Sequence, residues 1–268
     1  MVLSTRGESF LPGPASIRSG VRRGPGVAPV PAVPAPPFTA RLTIRAPADY
    51  TVSAVGDDLA AITDGGWRTT VWEAERPVAA LSILAGRFVT RRAPGVAVLH
   101  HPGHAAGAAD IARTLAAARR RYSEWFHPYP WTELRLAEFP DLATSATSYP
   151  ASIGFSEGIG FLAGGDTAQG LAFSVTAHEA AHQWWGHLVR AAEGPGTDLL
   201  VEGMANYATL LLHEAERGPQ ARSRYSRQLE RYYLAERRAS AERPVLATEE
   251  VSAATRRFCL SGGRNCSG

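Results

Sequence analysis

The chain has 268 residues, a length that allows one substantial domain with an appendage or two small domains. Its hydrophobic content of 45% and aromatic content of 9% are those of a globular protein and exclude a fully disordered chain. The net charge is only +3, and all 28 basic residues are arginines scattered among acids, as in ERYYLAERR. This pattern favours a solvated helix face and argues against a nucleic-acid partner.

No stretch approaches the ~18 apolar residues of a membrane helix, and the first twenty residues lack the apolar segment of a secretory signal. We therefore expect a soluble chain, whose compartment the sequence does not define and which would reach a membrane only through a partner. Cys259 and Cys266 lie in the last ten residues, where two free thiols are favoured over a short-loop disulfide.

Composition divides the chain into four segments. Residues 1–37 hold eight of the nineteen prolines and predict an extended, poorly ordered leader. Residues 38–96 contain short runs of alternating or β-branched residues, such as FTARLTIRA and WRTTVWEAE, and predict a small β region. Residues 97–250 are mainly helical in pattern, and 251–268 are predicted to be an irregular tail.

Within 97–250, apolar residues at spacings of three and four predict an amphipathic helix in ADIARTLAAARRRYSEWF. ELRLAEF is predicted to be a buried strand, and residues 143–165 a loop containing glycine and serine. Three more helices are predicted at about 168–190, 198–216 and 219–240. The predicted apolar face of the first helix consists of Ile111, Leu115, Ala118, Tyr122 and Trp125.

The most informative motif is HEAAH, with His178, Glu179 and His182. Residues four apart lie on nearly the same face of a helix, so both imidazoles can bind one ion. Glu179 sits beside them and can take a proton from a water molecule without being a ligand. The alternative is an alanine-rich helix that carries histidines by chance.

A third ligand is predicted at Glu202, an acid in the otherwise apolar run DLLVEGMANY. A buried carboxylate without a cation would cost several kcal/mol, and the nearest candidate cation is the ion; the alternative is a surface glutamate. Asn206, one turn later, is a candidate to hydrogen-bond the outer nitrogen of a ligand histidine. His187 is predicted to be a cap or a solvent-facing residue.

Three other histidines lie in a turn with proline and glycine and without an acidic framework nearby in the sequence. They are predicted to be incidental surface residues: His100, His101 and His104. Trp184 and Trp185 are predicted to pack their helix into the core.

HEAAHQWWG followed by VEGMANY resembles the zinc core of the aminopeptidase N-like gluzincins. Nineteen residues separate His182 from Glu202, against eighteen most commonly in that family, and HQWWG is more similar to the bacterial subgroup associated with ABC-type transporters. The resemblance implies an α+β fold in which residues 97–250 form an incomplete thermolysin-like zinc peptidase catalytic domain that is mainly helical around the site. A short remnant β domain would precede it. It also implies one Zn²⁺ per chain and a peptide substrate.

Two features of that family are not found at the matching positions. Its G-x-M-E-N segment is matched to SIGFS, Ser152–Ser156, which leaves Gly154 and the adjacent Glu157 as the candidate substrate-binding residues. No tyrosine follows Tyr233 to stabilise an oxyanion, and Tyr225, Tyr232 and Tyr233 are predicted to pack on a charged helix. The sequence thus predicts either a weakly active aminopeptidase-like enzyme or a zinc-stabilised interaction module that binds a membrane transporter or another subunit.

Overall fold

The computed structural model describes residues 37–140, 145–162, 166–192, 196–197 and 199–239, and only the backbone of 166–169 and 236–239. Residues 1–36 of the predicted leader, the whole predicted tail and both cysteines lie outside the described residues. The described residues combine helices with three sheets, which confirms the predicted α+β class. No helix among them is both long enough and apolar enough to span a membrane.

The first part of the chain forms two small antiparallel sheets. β1 (Phe38–Pro47), β4 (Trp67–Val78) and β3 (Asp57–Asp64) form one in that order, and β2 (Thr51–Ala54) pairs with β5 (Ile83–Gly86) in the other. β1 alternates between half-buried and exposed residues because one of its faces packs against apolar neighbours and the other faces water.

A five-stranded sheet carries the rest of the fold, in the order β6 (Val89–Ala93), β7 (Val96–His100), β8 (Leu134–Phe139), β10 (Ser152–Ser156) and β9 (Ala146–Tyr149). β8 is parallel to both β7 and β10, whereas β6 and β9 run antiparallel to their neighbours. The strand predicted in ELRLAEF is confirmed as β8. The loop predicted at 143–165 is wrong where β9 and β10 form, and a short helix, α2 (Glu157–Gly160), follows them.

Four longer helices complete the fold: α1 (Ala105–Trp125), α3 (Asp166–Ala181), α4 (Met204–Arg217) and α5 (Pro219–Ala239). A π-helical turn, Leu199–Gly203, leads into α4. The helix predicted at about 168–190 ends earlier, at Ala181, where Gln183 N and Trp184 N donate to the carbonyl groups three residues before them. A turn follows at Gly186, which adopts φ = +130° and donates its N–H to Val189 O.

The main core lies between α1, α3, α4 and one face of the five-stranded sheet, where Val98, Leu136 and Leu212 are buried. The predicted apolar face of α1 is buried from Ile111 to Tyr122, while Trp125 at its end is 37% exposed. The prediction for the tryptophans is confirmed, because Trp184 is buried in this core and Trp185 packs against it.

Candidate metal centre

The structure brings the side chains of His178, His182 and Glu202 together. His178 Nε2 lies 3.1 Å from His182 Nε2 and 3.2 Å from Glu202 Oε2, and His182 Nε2 lies 3.5 Å from the same oxygen. Ligand atoms placed ~2.0–2.1 Å from a tetrahedral ion are about 3.3 Å from one another. The three observed separations therefore fit the ligand set of one zinc ion.

Two segments of the chain supply these side chains. His178 lies in the last turn of α3, and His182 follows the helix with its N–H still directed to His178 O at 3.3 Å. Glu202 belongs to the π-helical turn before α4 and not to the regular helix that the sequence predicted. An ion bound by all three would link the end of α3 to the start of α4.

Hydrogen bonds to the outer atoms of these residues fix their orientation. His182 Nδ1 lies 3.0 Å from Trp185 O; a proton on that nitrogen leaves the Nε2 lone pair free for a metal. Asn206 Nδ2 donates to the backbone oxygen of Glu202 at 3.0 Å, and Asn206 Oδ1 accepts a hydrogen bond from Tyr225. Asn206 thus contacts the segment that carries Glu202, and the Trp185 carbonyl orients His182.

The protonation of the cluster depends on its own charges. Burial lowers the pKa of His182, but the hydrogen bond and charge of Glu202, together with the charge of Glu179, raise it to about 9. Burial would raise the pKa of Glu202, yet hydrogen bonds from His178 and His182 hold it well below its usual range. The carboxylate is stabilised by a positive charge at this position, which a divalent ion would supply in place of the His182 proton.

Glu179 lies in the wall of the same site and is only 2% exposed. Burial raises the pKa of its carboxyl group, while the charges of His182 and His178 and a hydrogen bond from the Ser148 backbone lower it. The pKa of Tyr149 is raised by burial and by the charge of Glu179. Ser148 and Tyr149 belong to the edge strand β9, so this strand borders the site.

Gln183 joins β9 to the segment that carries the histidines. Its buried amide donates to Ser148 Oγ at 2.7 Å and Tyr149 O at 2.9 Å, and accepts from Ala151 N at 2.9 Å and Tyr129 Oη at 3.2 Å. Gln183, Ser148 and Tyr149 were not recognised from the sequence as parts of the site. The signal available was a glutamine directly after the second histidine, but its partners lie more than thirty positions away.

Of the two residues proposed for substrate binding, one lies in the five-stranded sheet and the other begins the helix that follows it. Gly154 is in the middle of β10, between β8 and β9, and a Cβ at this position would lie 3.7 Å from the Phe139 ring. Glu157 begins α2 and lies near His104 and Glu138.

The prediction of incidental surface histidines in the 100–104 turn is wrong for two of the three. His100 is 3% exposed, and His104 Nδ1 lies 2.5 Å from Glu138 Oε1. Glu138 was not recognised as the acidic partner of His104 because it comes from the neighbouring strand, 34 positions away. The solvent-facing alternative for His187 is also wrong, since the residue is half-buried and its Nε2 atom is covered. Burial lowers its pKa to about 3.

The packing predicted for the tyrosines is confirmed at Tyr225, which is 8% exposed and stacks on His213 at 4.7 Å between ring centroids. Tyr232 is half-buried and its hydroxyl accepts a hydrogen bond from Gln228, whereas Tyr233 is 45% exposed. A different tyrosine lies beside the site: burial and the charge of Glu179 raise the pKa of the Tyr149 phenol.

The structure is similar to the crystal structure of an M1 zinc metallopeptidase from Deinococcus radiodurans, with a TM-score of 0.59 and 26% sequence identity. The match covers 84% of this chain and 51% of that chain, so this chain spans about half the length of the solved structure. No protein-family model matches the sequence, and no curated protein matches it. The structural similarity supports an M1 peptidase-like fold, with a cluster of histidines and a glutamate suited to zinc.

Proposed function

We propose that the chain is the catalytic part of a zinc-dependent, aminopeptidase-like metallopeptidase. In this proposal His178, His182 and Glu202 bind one Zn²⁺ and Glu179 is the general base. The observation that carries it is the convergence of two imidazole nitrogens and one carboxylate oxygen at separations of 3.1 to 3.5 Å. The similarity to a zinc metallopeptidase supports the same assignment.

His178, His182 and Glu202 would hold the zinc ion, which would supply an activated water molecule and polarisation of a peptide carbonyl group. The Glu179 carboxylate accepts the proton of the attacking water and then donates it to the leaving amine. Burial suits this residue to both roles, because it raises the pKa of the carboxyl group toward the range of a proton carrier. β9 is the strand along which we place the peptide, since it is a sheet edge that borders Glu179.

Glu179→Gln tests the role of the general base. We expect zinc binding to persist and peptide hydrolysis to fall by about 10²- to 10⁴-fold, because the amide cannot accept the proton. Turnover of a fluorogenic peptide is measured beside zinc content, with the exposed Glu124→Gln as the matched control. Activity retained in Glu179→Gln would contradict the assignment.

The aminopeptidase character has a separate test. A peptide with a free amino terminus is compared with the same peptide after acetylation, at equal enzyme concentration. Preference for the free amine supports an aminopeptidase, and equal cleavage of both would exclude recognition of the terminal amine.

A second candidate function is a zinc-stabilised interaction module with little activity. It is favoured by α5, where the exposed Arg224, Arg227 and Arg231 lie three and four positions apart and so share one face of the helix. Under the transporter-associated resemblance, the partner would be a membrane transporter or another subunit. A folded, zinc-loaded protein that cleaves no peptide in a broad library would support this candidate over the peptidase.

A further inference from the structure

A second group of metal-ligand side chains lies at another edge of the same sheet. It consists of His104, Glu138 and Glu157, whose ligand atoms all lie within 4.8 Å of one another. None of these residues belongs to the HEAAH segment or to the Glu202 turn. The cluster is therefore separate from the candidate metal centre in its ligands and in the elements that carry them.

Strand topology accounts for the cluster. β7, β8 and β10 are adjacent and parallel, so their carboxyl ends meet at one edge of the sheet. His104 follows the end of β7, Glu138 is the penultimate residue of β8, and Glu157 directly follows β10. Residues that are 19 to 53 positions apart in the chain thus come together.

The charges of this cluster are not balanced by its own members. Glu138 is buried, with 4% of its side chain exposed, and its ion pair is with the His104 imidazole. The half-buried Glu157 adds a second carboxylate to the pair. The cluster thus brings two carboxylates to one imidazole, and a cation bound among them would offset the repulsion between the two negative charges.

One carboxylate is already oriented by the backbone. Glu138 Oε2 accepts the His101 N–H at 2.8 Å, which directs Oε1 toward His104 Nδ1 at 2.5 Å. Backbone support of this kind positions metal-ligating carboxylates in proteins. An ion with bonds of about 2.1 Å needs its ligand atoms roughly 3 to 4 Å apart, a change within the reach of small side-chain rotations.

We propose that His104, Glu138 and Glu157 form a second divalent-metal site, of structural type, that binds a transition metal of the zinc and manganese class. One imidazole with two carboxylates is a donor set for such ions, whereas Ca²⁺ and Mg²⁺ favour oxygen donors alone. The ion would fasten the ends of β7, β8 and β10 to the starts of α1 and α2. This site is independent of the proposed peptidase activity.

Zinc counting distinguishes the two sites. Metal-free full-length protein is dialysed against buffered micromolar Zn²⁺, and zinc per chain is measured by elemental analysis. We expect about two ions in the wild type, one in Glu138→Gln, one in His182→Ala and none in the double variant. Exposed Glu124→Gln and His127→Gln are the matched controls and should keep both ions.

The outcomes separate the failure of each proposal. One ion that is lost in His182→Ala and kept in Glu138→Gln would overturn the second site and leave the candidate metal centre intact. One ion that is lost in Glu138→Gln and kept in His182→Ala would overturn the candidate metal centre and leave the second site intact. Glu157→Gln provides a second variant at a less buried position. Circular dichroism shows whether each variant is folded. A folded Glu157→Gln protein that still binds two ions would also overturn the second site.

Discussion

At the scale of single residues, Gln183 holds the wall of the candidate metal centre in place. Its amide uses both donors and its carbonyl oxygen to contact Ser148, Tyr149, Ala151 and Tyr129. One of these partners is strained, since Ala151 has φ = +62°, a conformation that non-glycine residues rarely adopt. The hydrogen bonds from Gln183 offset part of that cost and fix β9 beside the histidines.

Gln183→Leu should therefore destabilise the protein. Leucine has a similar volume but leaves the Ala151 N–H and the Tyr149 carbonyl buried without this partner, which we expect to cost about 2–4 kcal/mol. Urea unfolding monitored by tryptophan fluorescence measures the change. Gln228→Leu, on α5, is the control and should change stability by less than ~0.5 kcal/mol; equal effects of the two substitutions would contradict the role of Gln183.

Residue spacing explains what could be predicted about the two clusters. His178 and His182 could be recognised as a pair because a helix brings residues four apart together, and Glu202 because it was an acid in an apolar run. His104, Glu138 and Glu157 have no such local pattern, since the pairing of three strands brings them together. The Gln183 contacts depend on the same pairing.

At the scale of elements, α1, α2 and α3 approach one another closely at glycines. A Cβ at Gly107 would overlap with the carbonyl oxygen of Gly160. A Cβ at Gly160 would overlap with the Cβ of Ala172. The contact involves backbone at Gly107, so a flexible side chain cannot move aside to relieve it. These glycines allow the helices to pack at a distance that other residues would prevent.

Gly107→Ala tests this packing. Alanine favours helix by about 1 kcal/mol over glycine, but we expect overlap with Gly160 to reverse the sign and give a net loss of roughly 1–3 kcal/mol. Gly170→Ala is the matched control in α3, where nothing lies within 4 Å of the added methyl group, and it should gain up to ~1 kcal/mol. Thermal unfolding of both variants measures the difference, and stabilisation by both would contradict the close contact.

The interface of α3, α4 and α5 contains a buried histidine. His213 is 5% exposed, its Nε2 lies 3.0 Å from Ser174 Oγ, and its ring lies between Phe173 and Tyr225. Burial, together with the charges of Arg217 and Arg224, lowers the pKa of His213 to about 4. The folded protein therefore holds this imidazole neutral at pH values where the unfolded chain binds a proton.

The consequence is a loss of stability in acid. The unfolded-state pKa is about 6.5, so the contribution of His213 is fully present above pH 6.5 and is lost as the pH falls toward 4. At pH 5 the loss relative to pH 7 should be on the order of 2 kcal/mol. His213→Gln should reduce the difference in unfolding free energy between pH 7 and pH 5 by that amount, whereas the exposed His127→Gln should not; an unchanged difference in His213→Gln would contradict this account.

Elements differed in how well the sequence predicted them. α1 and α5 are long and amphipathic, so their periodicity could be recognised. β9 and β10 have only four and five residues, and β10 is buried from end to end, which removes the alternation typical of a half-exposed strand. The early end of α3 at Ala181 is a change of backbone hydrogen-bond pattern, which sequence periodicity does not show.

At the scale of the whole molecule, the small β region and the five-stranded sheet are joined through Arg135. This residue of β8 is 3% exposed, and its guanidinium donates to Ala54 O at 2.9 Å and to Gly56 O. It also lies over the Trp72 ring at 4.6 Å from the centroid. Burial lowers the pKa of Arg135, so these carbonyl and ring contacts are needed to stabilise its charge.

Arg135→Ala should weaken the connection between the two parts of the fold. The substitution leaves two buried carbonyl groups without this donor and a cavity beside Trp72, and we expect a loss of about 3 kcal/mol in the free energy of unfolding. Because the lost contacts all reach the β region, limited proteolysis should cut first within 37–86 in the variant. Exposed Arg68→Ala, in β4, is the control and should remain within ~0.5 kcal/mol of wild type. A loss below ~1 kcal/mol in Arg135→Ala would mean that other contacts join the two parts, such as the 2.8 Å hydrogen bond from Thr132 N to Asp57.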